Sequence, residues 1–288
     1  MKSILLGAAI ISGVVFSACT NQNNSDPNIK KVENMELSKK EKVVALLESL
    51  ETGAPEPVGY INPDKYIQHN LAVEDGLEGF GKVIANAPEG GFKAKVVRAF
   101  EDGDFVFTHT EYDFFGPKVG FDIFRFENGK IVEHWDNLQE IVKETASGRT
   151  QLDGPTAVED GDKTEENKAL VENFLNDILF GKNPDKITDY VSTEKYHQHN
   201  PGVKDGLAGL GEAIAALAEA GMPMRYDKNH FILGEGNFVL TASEGEFMKN
   251  HVAFYDLFRI ENGKIVEHWD TIEQIPAKED WKNENGKF

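Results

Sequence analysis

One stretch of this chain is written twice with a single change. Phe124-Arg125-Phe126-Glu127-Asn128-Gly129-Lys130-Ile131-Val132-Glu133-His134-Trp135-Asp136 returns as Phe258-Arg259-Ile260-Glu261-Asn262-Gly263-Lys264-Ile265-Val266-Glu267-His268-Trp269-Asp270. Asn-Gly between two alternating runs of aromatic and β-branched residues specifies a β-hairpin, because both central turn residues tolerate positive φ. Each copy therefore reads as two antiparallel strands turning at Asn128-Gly129 or Asn262-Gly263. Side chains two apart on a strand share a face, roughly 7 Å from one another. His134 thus points with Asp136, and His268 with Asp270. Regular pairing from a two-residue turn puts Phe121, Ile123 and Arg125 on that face and Asp122 with Trp135 on the other. A His and an Asp on an apolar sheet face cost free energy unless they are paired or used, so this pair is the first candidate for a site.

The repeat divides 288 residues into two domains. A formal charge of −19 argues against a nucleic-acid partner, because a phosphate-binding surface must be basic. The single cysteine, Cys19, excludes an intrachain disulfide and a cysteine-based metal cluster.

Residues 1–18 have the character of a targeting segment. Lys2 supplies the positive start, Ile4 to Phe16 form a short apolar run, and Ser17-Ala18 precede Cys19. The run is too short to span a bilayer. It resembles a bacterial lipoprotein signal with Phe16 in place of the usual Leu, and a plain secretory signal cut near Ala18 is the alternative. The lipoprotein reading places the protein in the bacterial cell envelope, held to the membrane only by lipid on Cys19. Residues 19–37 are polar and aperiodic, which predicts a flexible tether.

Ser38-Lys39-Lys40-Glu41 is a capping box ahead of the apolar stripe Val43, Leu46, Leu47 and Leu50. Helices are predicted from there, over 63–68 and over 76–87, followed by strands near 92–100, 105–114, 119–126 and 131–141. Residues 144–163 are rich in Gly and poor in large apolar groups, which predicts an inter-domain linker. The second copy opens at Thr164 with a near capping box, Thr164-Glu165-Glu166-Asn167. It repeats Tyr66-Ile67-Gln68-His69-Asn70 as Tyr196-His197-Gln198-His199-Asn200. Helices followed by an antiparallel meander make each copy α+β, over 38–143 and 164–278, with 279–288 as a tail.

Tyr66…Gln68-His69-Asn70, Asp122-Ile123-Phe124-Arg125 and Gly129 through Asp136 resemble the SnoaL-like polyketide cyclase family, part of the nuclear-transport-factor-2-like superfamily. The resemblance spans nearly all of each copy. It implies two tandem cone-shaped α+β domains, each with helices packed on a curved antiparallel sheet. Its subfamilies are labelled aldol-condensation-catalysing, while the superfamily also holds isomerases, dehydratases, epoxide hydrolases and non-enzymes, so fold alone does not choose. Carried over by position, the acid/base is Asp136 and Asp270, and the polar residues entering the pocket are His69-Asn70 and His199-Asn200. Tyr66, His109 and Arg125 are candidate substrate contacts, with Tyr196 and Arg259 in the second copy. His109 is matched by Ala242, so the two pockets are not chemically equal.

An Asp in an apolar cone has its ionised form disfavoured, which raises its affinity for a proton. Such a carboxylate can take a proton from beside a carbonyl and return it elsewhere. His134 or His69, with Asn70, can then donate to the enolate oxygen. A structural alternative pairs Asp136 with Arg125 and leaves His134 to a strand neighbour. Asp122 and Asp256 are expected to accept from the Trp135 and Trp269 indoles. His69, His109, His134 and Asp136 could ligate a metal, but no His-x-x-x-His or Glu-x-x-His spacing is present, and no metal or cofactor is expected. Met222, Met224 and Met248 read as packing.

Two function classes remain: a cofactor-free enzyme acting on a small apolar carbonyl compound, and a surface lipoprotein that binds a small hydrophobic ligand unchanged. The apolar face opposite His134 is assigned Phe124, Phe126, Ile131 and Trp135, with Ile260, Ile265 and Trp269 in the second copy. Such a patch is seldom left in water, so the sheets are expected to pack face to face as an intramolecular pseudo-dimer. Mass spectrometry of the mature N-terminus is expected to find a lipid-modified Cys19. An unmodified terminus at another residue overturns the anchor.

Overall fold

Ser38 starts the first helix as a capping box should: its hydroxyl accepts from the Glu41 N–H, and the Glu41 carboxylate accepts from the Ser38 N–H at 2.7 Å. The structure is a computed structural model and describes residues 36–89, 91–222 and 224–288. The targeting segment, Cys19 and nearly all of the tether lie outside the described residues. In the first copy α1 (Lys39–Thr52) is followed by β1 (Ile67–Gln68), α2 (Gly76–Ala85), β2 (Lys93–Asp102), β3 (Phe105–Asp113), β4 (Pro117–Glu127) and β5 (Lys130–Glu140). The second copy runs α3 (Thr164–Phe174), α4 (Ile187–Tyr190), β6 (His197–Gln198), α5 (Gly206–Glu219), β7 (Arg225–Glu235), β8 (Phe238–Phe247), β9 (Asn250–Glu261) and β10 (Lys264–Gln274).

Each copy is a four-stranded antiparallel meander with a short parallel strand added at the edge, in the order β1-β5-β4-β3-β2 and β6-β10-β9-β8-β7. Two local expectations give way. Residues 63–68 are not a helix: Asn62 turns the chain by accepting from the Asp64 N–H, and Ile67-Gln68 are drawn into parallel pairing with Glu133-His134. A 3-10 turn at Glu56–Tyr60 stands in the helix's place. Thr164 does not cap α3 either. A 3-10 turn at Gly161–Lys163 already leads into the helix, and the Thr164 hydroxyl instead accepts from the Gly236 N–H at 2.9 Å.

The hairpin turns form as the sequence dictates, with Asn128, Gly129, Asn262 and Gly263 all at positive φ. The strands beyond them do not pair regularly. Phe126 faces Ile131, but Arg125 faces Glu133, so Val132 is an extra residue; Val266 is the same bulge in the second copy. One extra residue moves every later side chain to the other face. Asp122 therefore stands opposite Asp136 and Phe124 opposite His134, on the face covered by α1. Phe121 and Ile123 join Trp135 on the outer face, which corrects the regular-pairing assignment of Phe121, Ile123 and Asp122.

The outer faces of the two sheets form a single apolar cluster. Phe100, Phe107, Phe121, Ile123 and Trp135 join Phe238, Leu240, Tyr255, Leu257 and Trp269, and the Phe100 and Phe238 rings lie 4.8 Å apart. Phe124, Phe126 and Ile131, expected on this face, instead pack under α1 with Val43, Leu46 and Leu47. Ile260 and Ile265 lie with Val171 and Phe174 of α3. The contact is reciprocal, as a twofold relation requires. Lys40 pairs with Glu235 as Lys168 pairs with Asp102, both at 2.7 Å. The Leu138 N–H meets Glu273 while the Ile272 N–H meets Gln139.

The segments after β5 and β10 exchange places across this contact. Ala146 N–H bonds Pro201 O, and Lys282 N–H bonds the equivalent Leu71 O. Ser147 reaches Gln198 O, and Asn285 reaches Gln68 O. Arg149 pairs with Asp205, and Asn285 donates to Asp75. Residues 144–153 are thus an ordered arm seated on the second copy, matched by 282–286 on the first. Each such hydrogen bond is worth about 1 kcal/mol net. Deleting residues 282–288 is expected to raise amide hydrogen exchange across the 66–75 loop about tenfold or more, with the 196–205 loop unchanged. Equal loss of protection in both loops would show that the arms do not act locally.

Candidate active site

The corrected register places three ionisable groups together beneath the helices. β5 supplies His134 and Asp136, β4 supplies Asp122, and the loop after β1 supplies Gln68 and Asn70. They lie in the wall of a cavity of about 520 Å³ whose other lining is mainly apolar, including Leu46, Leu50, Phe80, Phe92 and Phe114.

The imidazole is held from both sides. Gln68 Oε1 accepts from the Asn70 N–H at 2.8 Å, which fixes the orientation of that amide. His134 Nδ1 lies 3.1 Å from this oxygen and Nε2 lies 3.2 Å from Asp122 Oδ1. A ring with oxygen acceptors at both nitrogens satisfies both only when it carries both protons. The second copy repeats the arrangement, with His268 between Gln198 Oε1 and Asp256 Oδ1, each at 3.1 Å. Burial works against the charged form of His268. The Asp256 hydrogen bond and the nearby Asp270 and Asp256 charges outweigh it, so the ring titrates above ordinary imidazole.

The neighbouring carboxylate is only half satisfied. Asp136 Oδ2 accepts from Asn70 Nδ2 at 2.6 Å, and Asp270 Oδ2 accepts from Asn200 Nδ2 at 2.6 Å. Oδ1 of each is buried and has no hydrogen-bond donor among the described residues. Asp136 Oδ1 has the Lys287 ammonium 3.9 Å away. Burial, reinforced by Asp256, raises the proton affinity of Asp270 against the lowering effects of His268 and Asn200.

Several sequence candidates belong elsewhere. His69 and His199 turn to the outer face and stack on Trp135 and Trp269 at 4.7 and 4.6 Å. Their Nε2 atoms meet Glu133 and Glu267. Arg125 and Arg259 pair with these same glutamates, so Arg125 is not the partner of Asp136. His109 accepts from Arg98 at 2.8 Å. Burial and the Arg98 charge hold it neutral, with a proton affinity well below ordinary imidazole. Asp122 and Asp256 meet histidine, not tryptophan; the Trp269 indole donates to Asp153 O. Tyr66 does line the cavity, and burial followed by the Asp136 and Asp122 charges keeps its phenol protonated. Tyr196 is buried and accepts from Gln198 Nε2 at 2.9 Å.

Three members of the site escaped the sequence reading in this role: Asp122 with Asp256, Gln68 with Gln198, and the tyrosines that reach the aspartates. Tyr112 donates to Asp122 Oδ2 at 2.7 Å, beside Thr108 at 3.1 Å. Tyr226 donates to Asp256 at 3.2 Å. The signal for the first two pairs was present, because both are polar residues retained in both copies. The tyrosines occupy non-equivalent positions and gave none.

Asp122, His134 and Asp136 each offer a ligand atom, all within 4.8 Å of one another, as do Asp256, His268 and Asp270. A divalent cation would need carboxylate oxygens free of competing positive groups. In the first copy Asn70 Nδ2 occupies Asp136 Oδ2 and Lys287 stands near Oδ1, so the donor set fits a proton-transfer site better than a cation.

No protein-family model and no curated protein matches the chain. Among solved structures it is similar to TsrD from Streptomyces laurentii, at 23% identity over 36% of this chain and 92% of that one, with a TM-score of 0.30. It is also similar to IdmH from Streptomyces antibioticus, provisionally described as a polyketide cyclase, at 22% identity over 34% and 90%, with a TM-score of 0.30. An NTF2-like protein of unknown function from Cytophaga hutchinsonii matches at 16% identity over 37% and 94%, with a TM-score of 0.33.

The raised proton affinity of His268 has a consequence for stability. The folded state binds this proton more tightly than the unfolded chain, whose histidine titrates near 6.5. The stabilisation is therefore complete below that value and is lost as pH rises through the folded-state midpoint. Urea unfolding from about pH 6 to about pH 9 is expected to show this loss, and Asp256→Asn should flatten it. An unchanged pH dependence in that variant would remove the ion pair as its cause.

Proposed function

We propose that the protein is a cofactor-free acid/base enzyme acting on a small, largely apolar carbonyl compound, by chemistry of the aldol, cyclisation or isomerisation type. The observation that carries this reading is the buried Asp136 Oδ1, which lacks a hydrogen-bond donor in an apolar cavity while Asn70 holds the other oxygen. A carboxylate oxygen without a hydrogen-bond donor is costly in such a place and leaves a lone pair free to meet a substrate proton. The SnoaL-like resemblance of the sequence agrees with this reading.

Asp136 Oδ1 removes a proton from the carbon beside the substrate carbonyl, and Asn70 keeps the carboxylate aimed. His134 has both ring nitrogens engaged, by Gln68 and Asp122, and does not deliver a proton to the substrate. The enolate oxygen needs a donor that is not already engaged, and the Tyr66 phenol on the cavity wall supplies one. Asp270, His268 and Tyr196 have the same roles in the second copy. A lipid on Cys19 would hold this activity at the bacterial cell envelope.

The test is exchange of α-protons for deuterium in an apolar alkyl methyl ketone. The wild-type protein is expected to catalyse it, and the double variant Asp136→Asn, Asp270→Asn should lose about two to four orders of magnitude. A wild-type protein that binds the ketone without exchanging its protons would be a ligand carrier.

A further inference from the structure

The two copies bring a phenol to the same carboxylate from different strands. In the first, Tyr112 of β3 stands opposite Ala94 of β2. In the second, the register places Tyr226 of β7 opposite Gly245 of β8, so the large residue has crossed from one strand to its neighbour. A third position changes with them. Gly120 of β4 lies under the Tyr112 ring, and a Cβ there would come within 2.9 Å of it. Its counterpart by hairpin alignment, Phe254 of β9, stacks on Tyr226 at 4.2 Å. Ala, Tyr and Gly have become Tyr, Gly and Phe, and a hydroxyl still reaches the aspartate that holds the histidine.

Core volume alone is satisfied by any apolar ring. An exchange at three positions that retains one polar contact shows that the contact itself is required. We propose that Tyr112 and Tyr226 are positioning residues, each donating the hydrogen bond that holds its aspartate aimed at the imidazole, and that both copies therefore keep a working Tyr–Asp–His unit. This rests on the acid/base reading of the site. The groups facing the pair in the first copy are Thr108 and Tyr112 from β3, Asp136 from β5, and Gln68 and Tyr66 from the β1 segment. In the second they are Tyr226 from β7, Asp270 from β10, and Gln198 and Tyr196 from the β6 segment. Both phenols remain protonated, since burial and then the Asp122 or Asp256 charge hold them well above ordinary tyrosine.

Removing a donor from a carboxylate makes that carboxylate a stronger acceptor for its other partner. Tyr226→Phe is therefore expected to move the NMR titration of His268 up by about half to one pH unit, with the His134 signals unmoved. Tyr112→Phe should shift the downfield imidazole N–H resonance of His134 and leave His268 alone. The transposed variant Ala94→Tyr, Tyr112→Gly, Gly120→Phe should restore the His134 resonance toward its wild-type position. A purely structural phenol would lower the melting temperature and leave both spectra in place; that result in the two single variants overturns the proposal. None of these measurements needs turnover. If the shifts appear while the wild-type protein exchanges no ketone proton, the positioning role stands and the acid/base reading is what fails.

Discussion

The extra residue at Val132, repeated at Val266, sets which side of each sheet carries the candidate site. Without it, Asp122 would face the other copy, and His134 would lie opposite Ile123 in a purely apolar surrounding. With it, Asp122 and Asp136 pair across β4 and β5 on the helix-covered face, and the imidazole lies between acceptors. The same shift delivers Phe121, Ile123 and Trp135 to the outer face, where the second sheet covers them. A single local irregularity thus fixes both the site and the surface through which the copies meet.

That meeting surface does more than exclude water. His69 and His199 stack on the tryptophans there and share their glutamates with Arg125 and Arg259. Removing one partner from the buried Arg259–Glu267 pair is expected to cost about 3–5 kcal/mol, a structural role separate from the candidate site. The exchanged arms then tie each Gln-His-Asn loop to the opposite copy. Asn70 and Asn200 orient the candidate base from those loops, so the geometry of one pocket depends on the chain that follows the other sheet.

The copies have also diverged in how they balance charge near the base. Glu273 carries a half-buried ion pair to Lys287 at 2.5 Å, while the equivalent Gln139 is neutral. Lys287 stands close to Asp136, and the position matching it on the first arm is Gln151 by the spacing of the arm contacts. The two carboxylates therefore sit in different fields despite identical hairpins. The tyrosine exchange shows the opposite behaviour, with different residues maintaining one contact.

The repeated hairpin, its Asn-Gly turn, the α+β order of elements and the shared facing of His134 with Asp136 follow from the sequence, because each depends on residues close together in the chain. The helix over 63–68 was misread because its residues are captured by a strand far away in sequence. The facing of Asp122 was misread because a bulge leaves no compositional mark: Val132 is as good a strand residue as its neighbours. His69 and Asn70 are adjacent, and sequence treats them as a unit, yet they point to opposite faces once β1 pairs with β5. Which polar residues meet, which carboxylate oxygen lacks a hydrogen-bond donor and which tyrosine reaches which aspartate were decided by register and by packing between copies, through contacts whose partners lie far apart along the chain.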